Sequence, residues 1–192
     1  MSEGVLDRRA VAATLLKDAG DLLVVTGLGS TTYDAGAAGD RDENFYLWGA
    51  MGGAAMIGLG LALAQPNRRV LVMTGDGEML MGMGSLASVT AQRPDNLSIA
   101  IFDNARFGET GAQRSHTAYS TDLGAVAAAC GWRDTVQART MAEVEALAPR
   151  LRTEALFAVI KISADEVPRF LPPRDGAQLA SRFRRAIGIP EP

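Results

Sequence analysis

Two short stretches combine residue types that could hold a charged ligand. Gly75-Asp76-Gly77-Glu78 sets glycines around a carboxylate, and Asp103-Asn104 sets a carboxamide after another. Each closes an apolar run, Arg69 to Thr74 and Leu97 to Asp103. If those runs are neighbouring strands, Asp76 and Asn104 offer a carboxylate and an amide oxygen at one edge of a sheet. A hard cation such as Mg²⁺ takes oxygen ligands octahedrally and is commonly held by one or two protein oxygens together with phosphate oxygens and water. The glycines beside Asp76 let backbone N–H groups approach a phosphate, and a helix opening there would add its positive end. A GDG tripeptide alone is also an ordinary turn, so the weight falls on Asn104 recurring 28 positions later at the end of a second strand.

Other residues could join such a site. In Thr26-Gly27-Leu28-Gly29-Ser30, the Gly29 and Ser30 amides and the Ser30 hydroxyl could meet a terminal phosphate, where a bland reading is a capped helix. A nicotinamide-binding reading of these glycines fails because Thr32 stands where G-x-G-x-x-G needs its third glycine. His116 is the sole histidine, and since a free imidazole changes charge near neutrality it could donate to an anionic substrate or shuttle a proton. Arg106 and Arg114 could pair an anion, although a solvated arginine is the default. Glu109 is a second candidate acid-base group, or simply a polar loop residue.

These residues need a scaffold. At 192 residues, 47% apolar and 21% charged, the chain has the length of one α/β core, expected as a single domain over 1–192 with 167–192 as an extension ending in a surface helix. Apolar runs alternate with longer amphipathic stretches, which predicts an α/β fold with a mainly parallel central sheet and helices on both faces. The expected strands are Leu22 to Thr26, Arg69 to Thr74, Leu97 to Asp103, Asp134 to Gln137 and Leu156 to Ile162, preceded by a helix from Leu6 to Ala19. Met51 to Ala64 reads as a buried core helix, shorter than the roughly 20 residues of a membrane span. Asn104 to Asp122 has no apolar periodicity and reads as a long loop following a strand end, where open α/β sheets place ligands.

The net charge of -3 and pI near 5.2 give no footprint for nucleic acid or an anionic membrane. Arg182, Arg184 and Arg185 read as a solvated helix face, and Cys130 as a small buried residue. A single cysteine and an N-terminus without the apolar core of a signal peptide lead to the expectation of a cytoplasmic protein.

The GDG motif and its spaced Asn104 resemble the thiamine-diphosphate signature of decarboxylases, acetolactate synthases and transketolases. The resemblance implies thiamine diphosphate and Mg²⁺ as cofactors, with Asp76, Asn104 and the backbone carbonyl of Arg106 as metal ligands. It extends to Leu47-Trp48-Gly49-Ala50-Met51-Gly52: Met51 would be the apolar wedge under the bent cofactor, and Gly49 would offer its carbonyl to the pyrimidine amino group. Gly29, Ser30, Gly75, Gly77, Glu78, Phe107 and Gly108 complete the expected cofactor contacts. The loop Phe107-Gly108-Glu109-Thr110-Gly111-Ala112-Gln113 looks like that of sulfopyruvate and phosphonopyruvate decarboxylases, with Ala112 departing from a usual glycine.

In that family the glutamate that engages the pyrimidine comes from a separate pyrimidine-binding domain, which has no counterpart here. The resemblance therefore implies a subunit of a decarboxylase for a small anionic 2-oxo acid, working in a heteromer of at least α2β2 with a companion subunit that carries the glutamate. Its alternatives are an acetolactate-synthase-like carboligase subunit and a non-catalytic cofactor-binding homologue.

Overall fold

Val70-Leu-Val-Met-Thr and Leu97-Ser-Ile-Ala-Ile-Phe are rich in branched side chains and buried throughout, as strands covered on both faces must be. In the computed structural model, which describes residues 5–189, they are β3 (Val70–Gly75) and β4 (Leu97–Asp103), the centre of a six-stranded sheet. Residues 1–4 and 190–192 of the expected domain lie outside the described residues. The other strands are β1 (Leu23–Thr26), β2 (Asn44–Tyr46), β7 (Thr135–Ala138) and β8 (Phe157–Lys161). Their order is β2-β1-β3-β4-β8-β7, and every pairing is parallel. The chain moves outward from β1 to β2, then returns across β1 to form β3, so the direction of winding reverses between β1 and β3. Such a reversal opens a crevice at the carboxyl ends of the strands. Register puts Gly75 opposite Phe102, so β3 and β4 finish level.

Alternate residues face opposite layers. Val24, Leu71, Met73, Ala100, Phe102 and Ile160 pack against α1 (Arg8–Leu16), α2 (Ser30–Ala38) and α7 (Met141–Thr153). Leu23, Val25, Val72, Ile99, Ile101 and Val159 pack against α3 (Ala54–Ala64), α4 (Asp76–Met81), α5 (Ser85–Gln92) and α6 (Leu123–Cys130). Local chemistry starts these helices: the Asp7 carboxylate accepts from the Arg9 and Ala10 N–H groups, and Thr140 and Glu143 form a reciprocal capping box.

Four expectations change. Strand β2 is unanticipated, since three residues in a charged stretch leave no run to detect. Met51 to Ala64 is not a wholly buried helix: α3 begins at Ala54, and although no residue in it is polar, Met56 and Leu63 are 45% and 51% exposed. The 104–122 stretch is more ordered than a plain loop, because β5 (Arg106–Phe107) and β6 (Gln113–Arg114) pair antiparallel and two 3-10 turns flank β6. The terminal helix α8 (Gly176–Ala186) carries Arg184 and Arg185 outward, but Arg182 is buried. Arg182 donates two 2.8 Å bonds to Asp40, and the Phe183 ring lies tilted with its centroid 5.2 Å from that of Phe45, so α8 docks beside edge strand β2. Cys130 is partly buried against the α6 side of the core. Among the described residues no helix is long and apolar enough to cross a membrane.

Candidate functional site

A cleft of about 560 Å³ lies at the carboxyl ends of β1, β3 and β4. Asp76, the first residue of α4, is 1% exposed and lines it. Its side-chain partners among the described residues are hydroxyls: Ser115 donates to Oδ2, and Thr117 Oγ1 lies 3.2 Å from the same oxygen. Burial pushes the Asp76 carboxyl up to about 6, against the Ser115 bond that lowers it, with the Asp103 charge adding to the rise. Asp103 differs in having a cation, Lys161, as well as Thr117 at 2.8 Å. A buried carboxylate served only by hydroxyls is costly unless something cationic completes it.

Asn104 lines the cleft from the end of β4. Its Oδ1 accepts from the Arg106 N–H at 2.9 Å across Ala105, which takes φ +57°. This turn swings the chain into the β5–β6 hairpin, and the Ser115 N–H closes it by donating to the Ala105 carbonyl at 2.9 Å. The hairpin thereby delivers Ser115 to Asp76. Among the described residues no group of three His, Cys, Asp or Glu side chains could hold a metal by itself. The Asp76 carboxylate and the Asn104 amide, on residues lining one cleft, suit a hard cation that also takes phosphate oxygens and water, so the residues present fit Mg²⁺ with a diphosphate.

Gly77 is needed for packing as well as for any phosphate. A Cβ there would stand 2.6 Å from the Phe107 ring and 3.7 Å from the Met51 methyl, so Gly77, Phe107 and Met51 converge on one wall. Glu78 turns inward. Its 4%-exposed carboxylate accepts from the Leu28 N–H at 2.8 Å and the Ala54 N–H at 3.3 Å, tying the loop after β1 and the start of α3 to α4. Burial raises its pKa, opposed by these bonds. Across the cleft, Gly29 at φ +82° caps α2 without a side-chain bond, leaving the first-turn N–H groups beside Ser30. Thr32, which broke the nicotinamide motif, donates to the Gly27 carbonyl at 2.7 Å and braces that turn.

Ser30, Met51, Gly75, Asp76, Gly77, Glu78, Asn104, Arg106, Phe107, Gly108 and Glu109 all line the cleft. Gly29 is buried at its rim. Gly49 is exposed, with nothing within 4 Å of where a Cβ would stand. His116 is exposed behind Phe107, edge-on at 6.2 Å, and is not a lining residue. Sequence reasoning missed Ser115, Thr117 and Lys161 around the two aspartates, and the segment from Ala164 to Arg169, which forms an outer wall. The S-x-T alternation around His116 was the one available hint; nothing local marks the 164–169 wall.

A parallel α/β sheet with a buried acid and a spaced amide at the carboxyl ends of its two central strands has the layout of a ligand-binding domain. Its shape matches benzoylformate decarboxylase from Polynucleobacter necessarius with a TM-score of 0.71 at 17% identity, over 83% of this chain and 34% of that one, a likeness of fold alone. The family model described as thiamine pyrophosphate enzyme, C-terminal TPP binding domain, matches residues 31–162. The chain belongs to that family. It is 40% identical to phosphonopyruvate decarboxylase of Streptomyces viridochromogenes over 175 residues, 88% of this chain and 43% of that protein. It is 39% identical to sulfopyruvate decarboxylase subunit beta of Methanocaldococcus jannaschii over 123 residues, 64% of each. The chain thus spans less than half of the first relative and under two thirds of the second.

Proposed function

We propose that this chain is the diphosphate-binding subunit of a thiamine-diphosphate- and Mg²⁺-dependent decarboxylase for a small anionic 2-oxo acid, completed by a companion subunit that supplies the pyrimidine-side glutamate. The observation that carries the reading is the buried Asp76, which faces the cleft with no cationic partner among the described residues, beside Asn104, which directly follows the adjacent parallel strand. Asp76, Asn104 and the Arg106 carbonyl would hold the metal. The first-turn amides of α2 and the Gly77 backbone would take diphosphate oxygens. Met51, packed toward Phe107 and Gly77, would support the organic part of the cofactor and keep water from that wall. When bound, thiamine diphosphate supplies the electron sink for losing CO₂ from a 2-oxo acid, while the protein supplies position and charge. Similarity to a phosphonopyruvate decarboxylase of more than twice the matched length, and to a protein named as subunit beta, supports both the substrate class and the need for a companion.

The test is to produce the chain with its companion, titrate thiamine diphosphate by calorimetry with and without Mg²⁺, and measure CO₂ release from sulfopyruvate, phosphonopyruvate and pyruvate. Mg²⁺-dependent binding and preference for a doubly anionic substrate are expected. Absence of Mg²⁺-dependent binding in the assembled complex would overturn the reading.

A further inference from the structure

Among the described residues three arginines line the cleft, and two are committed elsewhere. Arg8 donates to the buried Asp34 at 3.1 Å, and Arg106 donates to the Ala112 carbonyl at 3.1 Å. Arg169 is held loosely: its guanidinium stands 5.7 Å over the Tyr33 ring and 4.0 Å from Glu109 Oε2, with 66% of the side chain exposed. The strap that carries it is firmly seated. Arg9 donates to the Pro168 carbonyl at 2.5 Å, the Trp48 indole N–H donates to the Pro173 carbonyl at 2.9 Å, and Phe170 and Pro172 pack so closely over Gly36 that an added Cβ would stand 3.0 Å from each. The strap therefore fixes where Arg169 starts and leaves its head able to change partner.

Glu109 reaches in from the hairpin. Its carboxylate overlies Gly29, where a Cβ would stand 2.6 Å from Oε1. Gly29 caps α2, whose first turn contains no acidic residue and receives no side-chain cap. A helix start of this kind favours an anion. The chain's own carboxylate thus stands at the mouth where the diphosphate reading places the phosphates, beside the cleft arginine that has no firm bond among the described residues.

We propose that Glu109 and Arg169 form an exchangeable pair: the carboxylate stands over Gly29 until diphosphate enters, and Arg169 then transfers from Glu109 to the diphosphate. This rests on the cofactor reading above. An exposed ion pair at 4.0 Å contributes little, whereas guanidinium–phosphate bonds are charge-assisted and doubly directional, so the exchange runs toward the diphosphate. Glu109 is then a gatekeeping charge rather than an acid-base group, and Arg169 is a binding residue supplied by the strap.

The test titrates Mg²⁺–pyrophosphate and Mg²⁺–thiamine diphosphate into the full chain, alone and with its companion, by calorimetry. Glu109→Gln is expected to bind pyrophosphate about threefold more tightly, through lost repulsion and a freed Arg169. Arg169→Gln is expected to bind it about tenfold more weakly, with an unchanged unfolding temperature. In Glu109→Gln/Arg169→Gln the gain from the first change should shrink, since there is no longer an arginine to release. Weaker or unchanged binding by Glu109→Gln, unchanged binding by Arg169→Gln, or strict additivity overturns the exchange while wild type still binds. If wild type binds neither ligand in either form, the cofactor reading fails and the exchange with it.

Discussion

Gly27→Ala isolates the contribution of the Glu78 clamp to the whole site. A Cβ on Gly27 would run into Glu78 Oε2 and stand 2.6 Å from Thr74 Oγ1 and 2.8 Å from Glu78 Cδ. None of these atoms is the free end of a mobile side chain. The Glu78 carboxylate is fixed by the Leu28 and Ala54 N–H groups, and Thr74 is fully buried in β3. Relief requires moving the carboxylate off at least one amide. Overpacking a tight site costs about 1–3 kcal/mol, and stranding a buried amide or carboxylate oxygen adds about 1–3 kcal/mol. A total of about 3 kcal/mol lowers the unfolding temperature by roughly 6–12 °C in a chain of this size. Gly60→Ala is the control, because nothing lies within 4 Å of its Cβ position in the middle of α3, and it is expected to stabilise by about 0.5–1 kcal/mol. Thermal unfolding of both variants by circular dichroism, with thiamine-diphosphate titration of the survivor, separates them. A Gly27→Ala protein that melts within 1–2 °C of wild type, a change of about 1 kcal/mol or less, would refute the clamp.

Asp76→Ala is expected to abolish Mg²⁺-dependent cofactor binding while leaving the fold intact, read by calorimetry and circular dichroism; retained Mg²⁺ dependence would remove Asp76 from the metal site. His116→Ala should leave cofactor affinity within about twofold of wild type, since the ring stands behind Phe107 outside the cleft and a lost exposed contact is worth little; a tenfold loss measured by titration would place it inside. Asp40 is held below its ordinary 3.8, first by the Arg182 hydrogen bonds, so it binds protons less readily folded than unfolded. Its stabilising effect is therefore full above pH 3.8 and lost as pH falls through the lower folded value. Unfolding temperatures from pH 5 to pH 3 should drop more steeply in wild type than in Arg182→Ala, and parallel curves would show that the pair does not anchor α8.

Much of the site was legible because strand ends are marked by composition. The runs before Gly75 and Asn104 are long, apolar and branched, and a run of that kind fixes both a buried strand and the place where it stops. Asp76 and Asn104 were therefore readable as strand-end residues, although their adjacency became definite only with the β3–β4 register. What sequence could not reveal were contacts made across distance. Ser115 meets Asp76 because a hairpin closes through the Ala105 carbonyl, and that closure leaves no periodic trace. Lys161 finds Asp103 because β8 inserts beside β4, a matter of strand order. Arg182 looked like one more charge on a polar face; its burial depends on Asp40 and on an edge strand too short to be anticipated. The outward-facing Met56 and Leu63 likewise lie in a helix whose uniform apolarity gives no clue to which side meets the sheet.

Trp48, held by the strap, is also an optical probe. Its ring centroid lies 6.0 Å from that of Tyr33, which lines the cleft, and Arg174 stands 5.1 Å over its face. The second tryptophan, Trp132, sits in the other core layer against Phe157. Ligand entry at the α2 end or any lifting of the strap would therefore alter the intrinsic fluorescence of Trp48, while Trp132 supplies a steady background that a Trp132→Phe replacement removes. The chain thus carries its own optical reporter of cleft occupancy, and stopped-flow emission could time ligand arrival without an attached dye.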